Sequence, residues 1–316
     1  MTTPTKHQFL GQHAQIISIV DTKGGSTKTT IVANIAAYYA LAGLKTLIID
    51  LDLGQPAASS YYSLSNETLG GVFEFLVVGE TEPEKIISKT CIENLDLITS
   101  NCSREELASH LNSTADGIIR LSSRLNFIKN NYDVIIIDTI GTVDQTVSMA
   151  IMASDIVLSP IEPSMQGSRE YLRGTLNNLV KGLHPFLSFG LKLLTQIYTF
   201  FNKIDLTNDC KRVKLMFTEQ IETINNEYPQ QFPIKIKALD QDIKSMANFK
   251  NASSLSQPAF FTYKEKNKDT EFSYKITKKQ AQEVKECIFK ICSEISSHFL
   301  PQLEDYFIVP ITDFSE

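Results

Sequence analysis

The chain has 316 residues, 42% hydrophobic and 21% charged, with 30 Lys and Arg against 36 Asp and Glu and a net charge of −6. That length fits one large α/β domain or two small ones, and the acidic balance excludes a wholly basic nucleic-acid binder while leaving room for a local basic patch. The five cysteines, Cys91, Cys102, Cys210, Cys287 and Cys292, are scattered and contain no CxxC, so neither a disulfide framework nor a zinc site is indicated. The N-terminal stretch MTTPTKHQFLGQHAQ lacks the apolar core of a signal peptide, and the apolar stretch 185–201 is interrupted by Lys192, Gln196 and Thr199. A soluble, cytoplasmic protein is expected.

In chain order, short continuous apolar runs predict strands at Gln15–Val20, Thr46–Ile49, Leu95–Thr99, Asp133–Ile137, Ile156–Leu158, Leu193–Phe201 and Pro233–Ile236. Runs without alternation belong to strands buried on both faces of a parallel sheet. Helices are predicted at Thr29–Ala42, ended by Gly43, and at Arg169–Lys181, ended by Gly182. The order implies βαβ units and an α/β, doubly wound, mostly parallel twisted sheet with helices on both faces. One domain is expected. It would have a core over about residues 14–260, a Lys-rich segment and helix to about residue 300, including Thr277–Phe299, and a tail from 301. Tyr263–Lys279 carries six lysines against three acidic residues, the composition of a solvated surface segment or a basic patch.

The most informative stretch is DTKGGSTKTT, Asp21 to Thr30, between the first strand and the first helix. A phosphate loop reads G-x-x-x-x-G-K-[ST]; aligned on Lys28 and Thr29, its glycine positions hold Thr22 and Thr27 instead. The strand–loop–helix setting and Gly24–Gly25 still give backbone N–H groups that can wrap an anion, with Ser26, Thr27 and Thr30 in the same wall. Lys28 would reach terminal phosphates and the Thr29 hydroxyl would ligate Mg²⁺.

Two carboxylates end the second strand in LIIDLDLG. Asp50 and Asp52 lie two apart, on one side if the strand continues, at the sheet edge where such folds bind ligands. Asp138 closes YDVIIID and resembles the aspartate that holds Mg²⁺ directly or through water, with Thr139–Gly141 as a following switch loop. Asn202-Lys203-Ile204-Asp205 fits the N-K-x-D pattern of guanine readers, and Asp138–Gly141 fits D-x-x-G. A strand-end Asn also supplies base contacts in ATP-using proteins.

Lys23-Gly-Gly-Ser-Thr-Lys28-Thr-Thr30 resembles the deviant phosphate loop of the ParA/MinD ATPases, and this specific signal favours ATP. With SSYYSL, GGVFEFL, LDLITSN, ADGIIRL, IDTIG and RGTLNNL, the chain is similar to ParA/Soj-like proteins of plasmids and integrative conjugative elements, most clearly from Ile16 to about Asn177. The resemblance implies ATP and Mg²⁺ as cofactors and a nucleotide-sandwich homodimer. Lys23 would serve the partner's phosphates and Lys28 its own. Asp52 would position or activate the attacking water, Asp50 would support Mg²⁺ through water, and Asn202 would contact the nucleotide. It also implies non-specific DNA binding, hydrolysis stimulated by a ParB-like centromere-binding protein, and a nucleoid-associated location. Thr27 departs from the glycine usual in the family.

The loop's place near the N-terminus leaves no room for the helix-turn-helix domain of the larger plasmid proteins, so operator binding is not expected. Lys211, Arg212, Lys214 and the 263–279 lysines are the DNA-contact candidates. No membrane partner is expected, because the end EDYFIVPITDFSE is acidic and interrupted by Pro310. The stripe Val284, Cys287, Ile288, Ile291, Ile295 and Phe299 reads as core packing. Relatives with a bridging iron–sulfur cluster are disfavoured by the scattered cysteines. The alternatives are a positioning or assembly ATPase that does not bind DNA, and a GTPase reading NKID.

Overall fold

Short runs of Ile, Val and Leu build the centre of the sheet in a computed structural model that describes residues 14–311 apart from 24, 26, 115, 143, 178, 180–195, 206, 228–234 and 267–272. The strands are β1 (Gln15–Ile19), β2 (Thr46–Asp50), β3 (Leu64–Asn66), β4 (Ser88–Thr90), β5 (Leu95–Ile98), β6 (Val134–Asp138), β7 (Ile156–Ile161), β8 (Gln196–Ile204), β9 (Ile236–Ala238) and β10 (Ile243–Lys244). Their order is β10-β8-β7-β1-β6-β2-β5-β4-β3, with β9 also paired to β8. Pairing is parallel from β10 to β5; at the other edge β4 runs antiparallel between β5 and β3. A parallel sheet needs crossovers on its faces. The helices are α1 (Lys28–Leu41), α2 (Pro83–Ile86), α3 (Arg104–Asn112), α4 (Arg120–Ile128), α5 (Gln145–Ala153), α6 (Met165–Glu170), α7 (Asn208–Glu227), α8 (Ala247–Ser254), α9 (Lys278–Ile295) and α10 (Leu300–Phe307); α1 and α3 to α7 lie in crossovers between parallel strands, and α8 to α10 follow the last strand of the sheet.

α1 is apolar nearly all round, and a helix of that kind must be covered on every side. Ile31, Ile35, Tyr38 and Tyr39 are buried in one cluster with Ile17 and Ile136 of the sheet and with Val284, Ile288, Ile291 and Leu303 of α9 and α10. The apolar stripe of α9 is therefore core packing. Tyr38 and Tyr39 hydroxyls meet the Leu303 carbonyl at 3.2 Å and Ser296 Oγ at 2.5 Å. Apolar residues of α3, α4 and α5 cover another cluster on β2 and β6.

Three local expectations change. The helix placed at Arg169–Lys181 begins earlier, at Met165, because Ser164 caps it by accepting the Gly167 N–H at 2.9 Å. It continues as a π-helical turn over Tyr171–Leu176; residues 178 and 180–181 lie outside the described ones. The helix placed at Thr277–Phe299 uses Thr277 as a capping-box residue with Gln280, stops at Ile295, and gives way to a 3₁₀ turn and α10. Residues 301–307 of the expected tail are thus helical, with Pro301 in the first turn of α10, where a missing N–H costs nothing. The lysine-rich segment contains an antiparallel pair, β11 (Tyr263–Lys266) and β12 (Ser273–Ile276).

Lys285 fastens the C-terminal end to this core. It is 1% exposed, and its ammonium donates to the Tyr306 and Val309 carbonyls at 2.8 and 2.7 Å, with the Tyr306 ring centroid 4.2 Å away. Burial pulls its pKa down to about 8, while two carbonyls and a ring face satisfy the charged form. Lys285→Ala leaves a hole and two carbonyls without their donor. It is expected to lower unfolding free energy by about 2–4 kcal/mol in urea titrations. A loss below about 0.5 kcal/mol would mean that the clasp contributes nothing.

Candidate functional site

Parallel pairing brings the ends of β1, β2 and β6 to one edge of the sheet. Asp50 lies opposite Asp138 in the β2–β6 register, and Ile19, two residues before Asp21, lies opposite Asp138 on the other side. Both aspartates are fully buried. Asp50 is well served: Ser59 N–H and Oγ both donate to Oδ2 at 2.7 Å, and the Asp52 N–H donates to Oδ1 at 3.0 Å. Among the described residues, neither oxygen of Asp138 has a hydrogen-bond partner of good geometry. Burial, then the neighbouring Asp50, pushes the Asp138 carboxyl well above the ordinary range, with the Thr29 hydroxyl and the Lys28 ammonium pulling back. Asp50 is also raised, first by burial. A buried carboxylate that lacks partners beside a second carboxylate is an incomplete electrostatic arrangement, and a hard cation completes it.

Lys28, 7% exposed, opens α1 beneath these groups. Burial lowers its pKa, and Asp21, Asp138 and Asp52, in that order, oppose the shift. Thr29 and Thr30 follow in the first helical turn, both half-buried. Mg²⁺ is held by one or two carboxylates together with hydroxyl, water and phosphate oxygens. Asp138, Asp50 and the Thr29 hydroxyl fit that requirement, with Lys28 placed for phosphates. Asp52 lies beyond the strand end, half-buried, its Oδ1 accepting the Gln55 N–H at 3.1 Å. β2 stops at Asp50, so Asp52 lies two residues past the strand end, its N–H donating back to Asp50.

The loop itself has two positive-φ residues among those described. Gly25 has φ 78° with open space at its Cβ position; Thr27, the N-cap of α1, has φ 64° and ψ 29°. Gly24 and Ser26 lie outside the described residues. Lys23 is ion-paired inside its own subunit, to Glu162 at short range and to Glu170 at 3.6 Å, and the Glu162 hydrogen bond raises its pKa. Thr22 N–H donates to Thr175 Oγ1 at 3.1 Å, and Thr175 in turn donates to Asp21 at 3.3 Å. The π-helical turn is therefore tied to the loop. Asn202, 6% exposed at the end of β8, donates through Nδ2 to Thr27 Oγ1, and Lys203 Nζ donates to the Gly25 carbonyl at 3.1 Å.

Sequence reading missed Glu162 and Glu170, which lie far along the chain from Lys23 and carry no motif, and gave no role to Ser59 and Thr175, although they fall in SSYYSL and RGTLNNL. Asp21 was readable only as a loop residue, and Lys203 only as part of NKID. Of the basic candidates on α7, Arg212 pairs with Asp209 at 2.8 Å and Lys214 with Asp242 at 2.6 Å, while Lys211 is exposed. Lys275, Lys278 and Lys279 are exposed; Lys268 and the side chains of Lys264 and Lys266 lie outside the described residues. No helix among the described residues is long and apolar enough to cross a membrane.

A lysine loop between parallel strand and helix, with aspartates closing the adjoining strands, defines a phosphate-loop nucleoside triphosphatase fold. A family model described as an AAA domain matches residues 14–189, more than half of the chain, which belongs to that family and, within it, to the ParA/MinD partition and positioning ATPases. The chain is 32% identical over 186 residues to the sporulation initiation inhibitor protein Soj of Bacillus subtilis, covering 58% of this chain and 73% of that one. It is 29% identical over 174 residues to the chromosome-partitioning ATPase Soj of Treponema pallidum, covering 54% and 67%. Its fold is similar to that of a Cyanothece McdA variant in complex with ATP, with TM-score 0.63, 19% identity, and coverage of 97% of this chain and 100% of that one. The chain spans 42% and 53% of the length of the putative replication proteins A of Sinorhizobium fredii and Rhizobium rhizogenes that it also matches.

Asp138→Asn removes a buried charge without changing shape. We expect the nucleotide-free protein to gain about 1–3 kcal/mol, a melting point several degrees higher, and to lose any Mg²⁺-dependent rise. A lower melting point without Mg²⁺ would show that the carboxylate is satisfied by other means.

Proposed function

We propose that this chain is a Mg²⁺-dependent ATPase switched by dimerisation, which binds DNA without sequence preference and helps to partition a plasmid, mobile element or chromosome. The observation that carries the reading is the Asp138 carboxylate, buried beside Asp50, Thr29 and Lys28 at the end of the phosphate loop with no well-formed hydrogen bond among the described residues. The name of the Treponema relative, a chromosome-partitioning ATPase, supports the biological role.

In this reading Lys28 neutralises charge on the terminal phosphates, and Thr29, Asp138 and, through water, Asp50 hold Mg²⁺, which supplies further neutralisation when bound. Asp52 orients the attacking water. Lys23 leaves Glu162 and Glu170 and reaches the phosphates held by a second copy of the chain, so hydrolysis waits on dimerisation, as it does on an arginine finger supplied in trans. A ParB-like protein stimulates turnover. Lysines and arginines on one surface of the dimer contact DNA phosphates. The pairing of Arg212 and Lys214 with acidic neighbours favours a second reading, a positioning ATPase that acts on proteins rather than DNA.

Lys28→Ala is expected to abolish nucleotide binding, and Lys23→Ala to cut turnover at least a hundredfold, as loss of a transition-state charge does, while monomers still bind nucleotide. Unchanged turnover in Lys23→Ala would remove the trans role. Asp52→Ala is expected to accumulate as a nucleotide-bound dimer that retards random-sequence duplex DNA in a gel with Mg²⁺ and ATP. Retardation only with GTP would overturn the nucleotide. A dimer that leaves DNA unshifted would support the positioning reading.

A further inference from the structure

The end of β8 is stitched to the phosphate loop at two points. Asn202 Nδ2 donates to Thr27 Oγ1, and the next residue, Lys203, donates from Nζ to the Gly25 carbonyl at 3.1 Å. β8 is separated from β1 in the sheet by β7, so these bonds reach across a strand to hold the loop that follows β1. The other end of the Asn202 amide is also engaged. Its Oδ1 accepts the Lys203 N–H at 3.0 Å, and Lys203 itself adopts φ 62°. The side chain is thus a nearly buried amide with its donor turned to the loop and its acceptor to its own backbone.

Thr27 is where such a hold matters. A β-branched residue is poorly suited to left-handed backbone, and the conformation lowers its population by roughly tenfold. Glycine would adopt it at no steric cost. Thr27 also caps α1, its carbonyl accepting the Ile31 N–H at 3.1 Å, so its backbone sets the start of the helix that carries Lys28 and Thr29. The threonine brings a hydroxyl that glycine lacks, and that hydroxyl is what Asn202 grips.

We propose that Asn202 is a positioning residue of the phosphate loop: by holding the Thr27 hydroxyl it keeps this strained position in the conformation that aims Lys28 and Thr29, and so sets affinity for the triphosphate rather than for the base. This rests on the nucleotide-binding reading above. Where a glycine would be left-handed freely, this loop has a threonine that is left-handed while the end of β8 holds it. Asn202 and Thr27 then act as one unit, and either is dispensable once the strain is removed.

The test is a double-mutant cycle read by titration calorimetry with Mg²⁺ and ATP, UTP or inorganic tripolyphosphate. Asn202→Ala is expected to weaken every ligand that the wild type binds by a common factor of about ten, the value of one buried hydrogen bond. Thr27→Val, which keeps the shape and lies on the loop rather than in the sheet, is expected to cause the same loss, so the result stands even if the Asn202 variant folds poorly. In a Thr27→Gly background, Asn202→Ala should change affinity less than about twofold. A loss confined to ATP would assign Asn202 to the base, and one equally large in the Thr27→Gly background would show that it does not act through Thr27; either overturns the brace. A wild-type protein that binds none of the three ligands would instead overturn the nucleotide reading beneath it.

Discussion

Two carboxylates buried side by side on adjacent parallel strands are the constraint on which the rest of the site depends. The register that places Asp50 opposite Asp138 is fixed by the apolar residues before them, Leu47 to Ile49 and Ile135 to Ile137, which must face the helices on both sides. Burial alone would cost several kcal/mol per ionised group. For Asp50 the structure offsets that cost with three donors. For Asp138 it provides the Lys28 ammonium and the Thr29 hydroxyl nearby and leaves the oxygens open. A purely structural carboxylate would have been hydrogen-bonded or replaced by an apolar residue at no loss. Stability is thus lowered at one buried point where a cation can recover it.

The same economy governs the loop. Lys28 must be nearly buried to approach those carboxylates, and it gets there by being the first residue of a helix that is itself enclosed. α1 lies between the sheet and the α9–α10 layer, so its axis is set by packing on two sides. What remains adjustable is the turn from Asp21 to Thr27. The contacts that hold this turn come from β8, from the π-helical segment and from the Glu162 region, all outside the strand–loop–helix unit. π-helical turns inside α-helices are frequent at functional sites. Here the turn carries Thr175, which bonds to both Thr22 and Asp21.

That division explains what was legible in the sequence. β1, the loop, α1, and Asp50 and Asp138 each announce themselves locally, as apolar runs ended by a charged residue or as a lysine pattern of fixed spacing. The parallel sheet follows from those runs. The reach of Asn202 to Thr27, of Glu162 to Lys23 and of Thr175 to Thr22 spans more than a hundred residues each and leaves no periodic trace. Helix ends failed for similar reasons: the Ser164 cap lies upstream of the apolar period that marked the helix, and a continuous apolar stripe hid the break at Ser296.

Energy scale decides how the Lys23 contacts should be understood. Lys23 is about a third exposed, and Glu162 and Glu170 are more so, which places the cluster with surface ion pairs, typically worth 0–1 kcal/mol and weakened by salt. Such a hold orders the lysine without trapping it. Two carboxylates compete poorly with a triphosphate, whose charge is denser, so the trans role proposed for Lys23 would need little energy to release it. A buried, fully paired lysine would have had to break a strong contact before moving, and an unpaired one would have sampled many rotamers and lost entropy on every encounter. The observed arrangement lies between these extremes, which suits the exchange of partners proposed for Lys23.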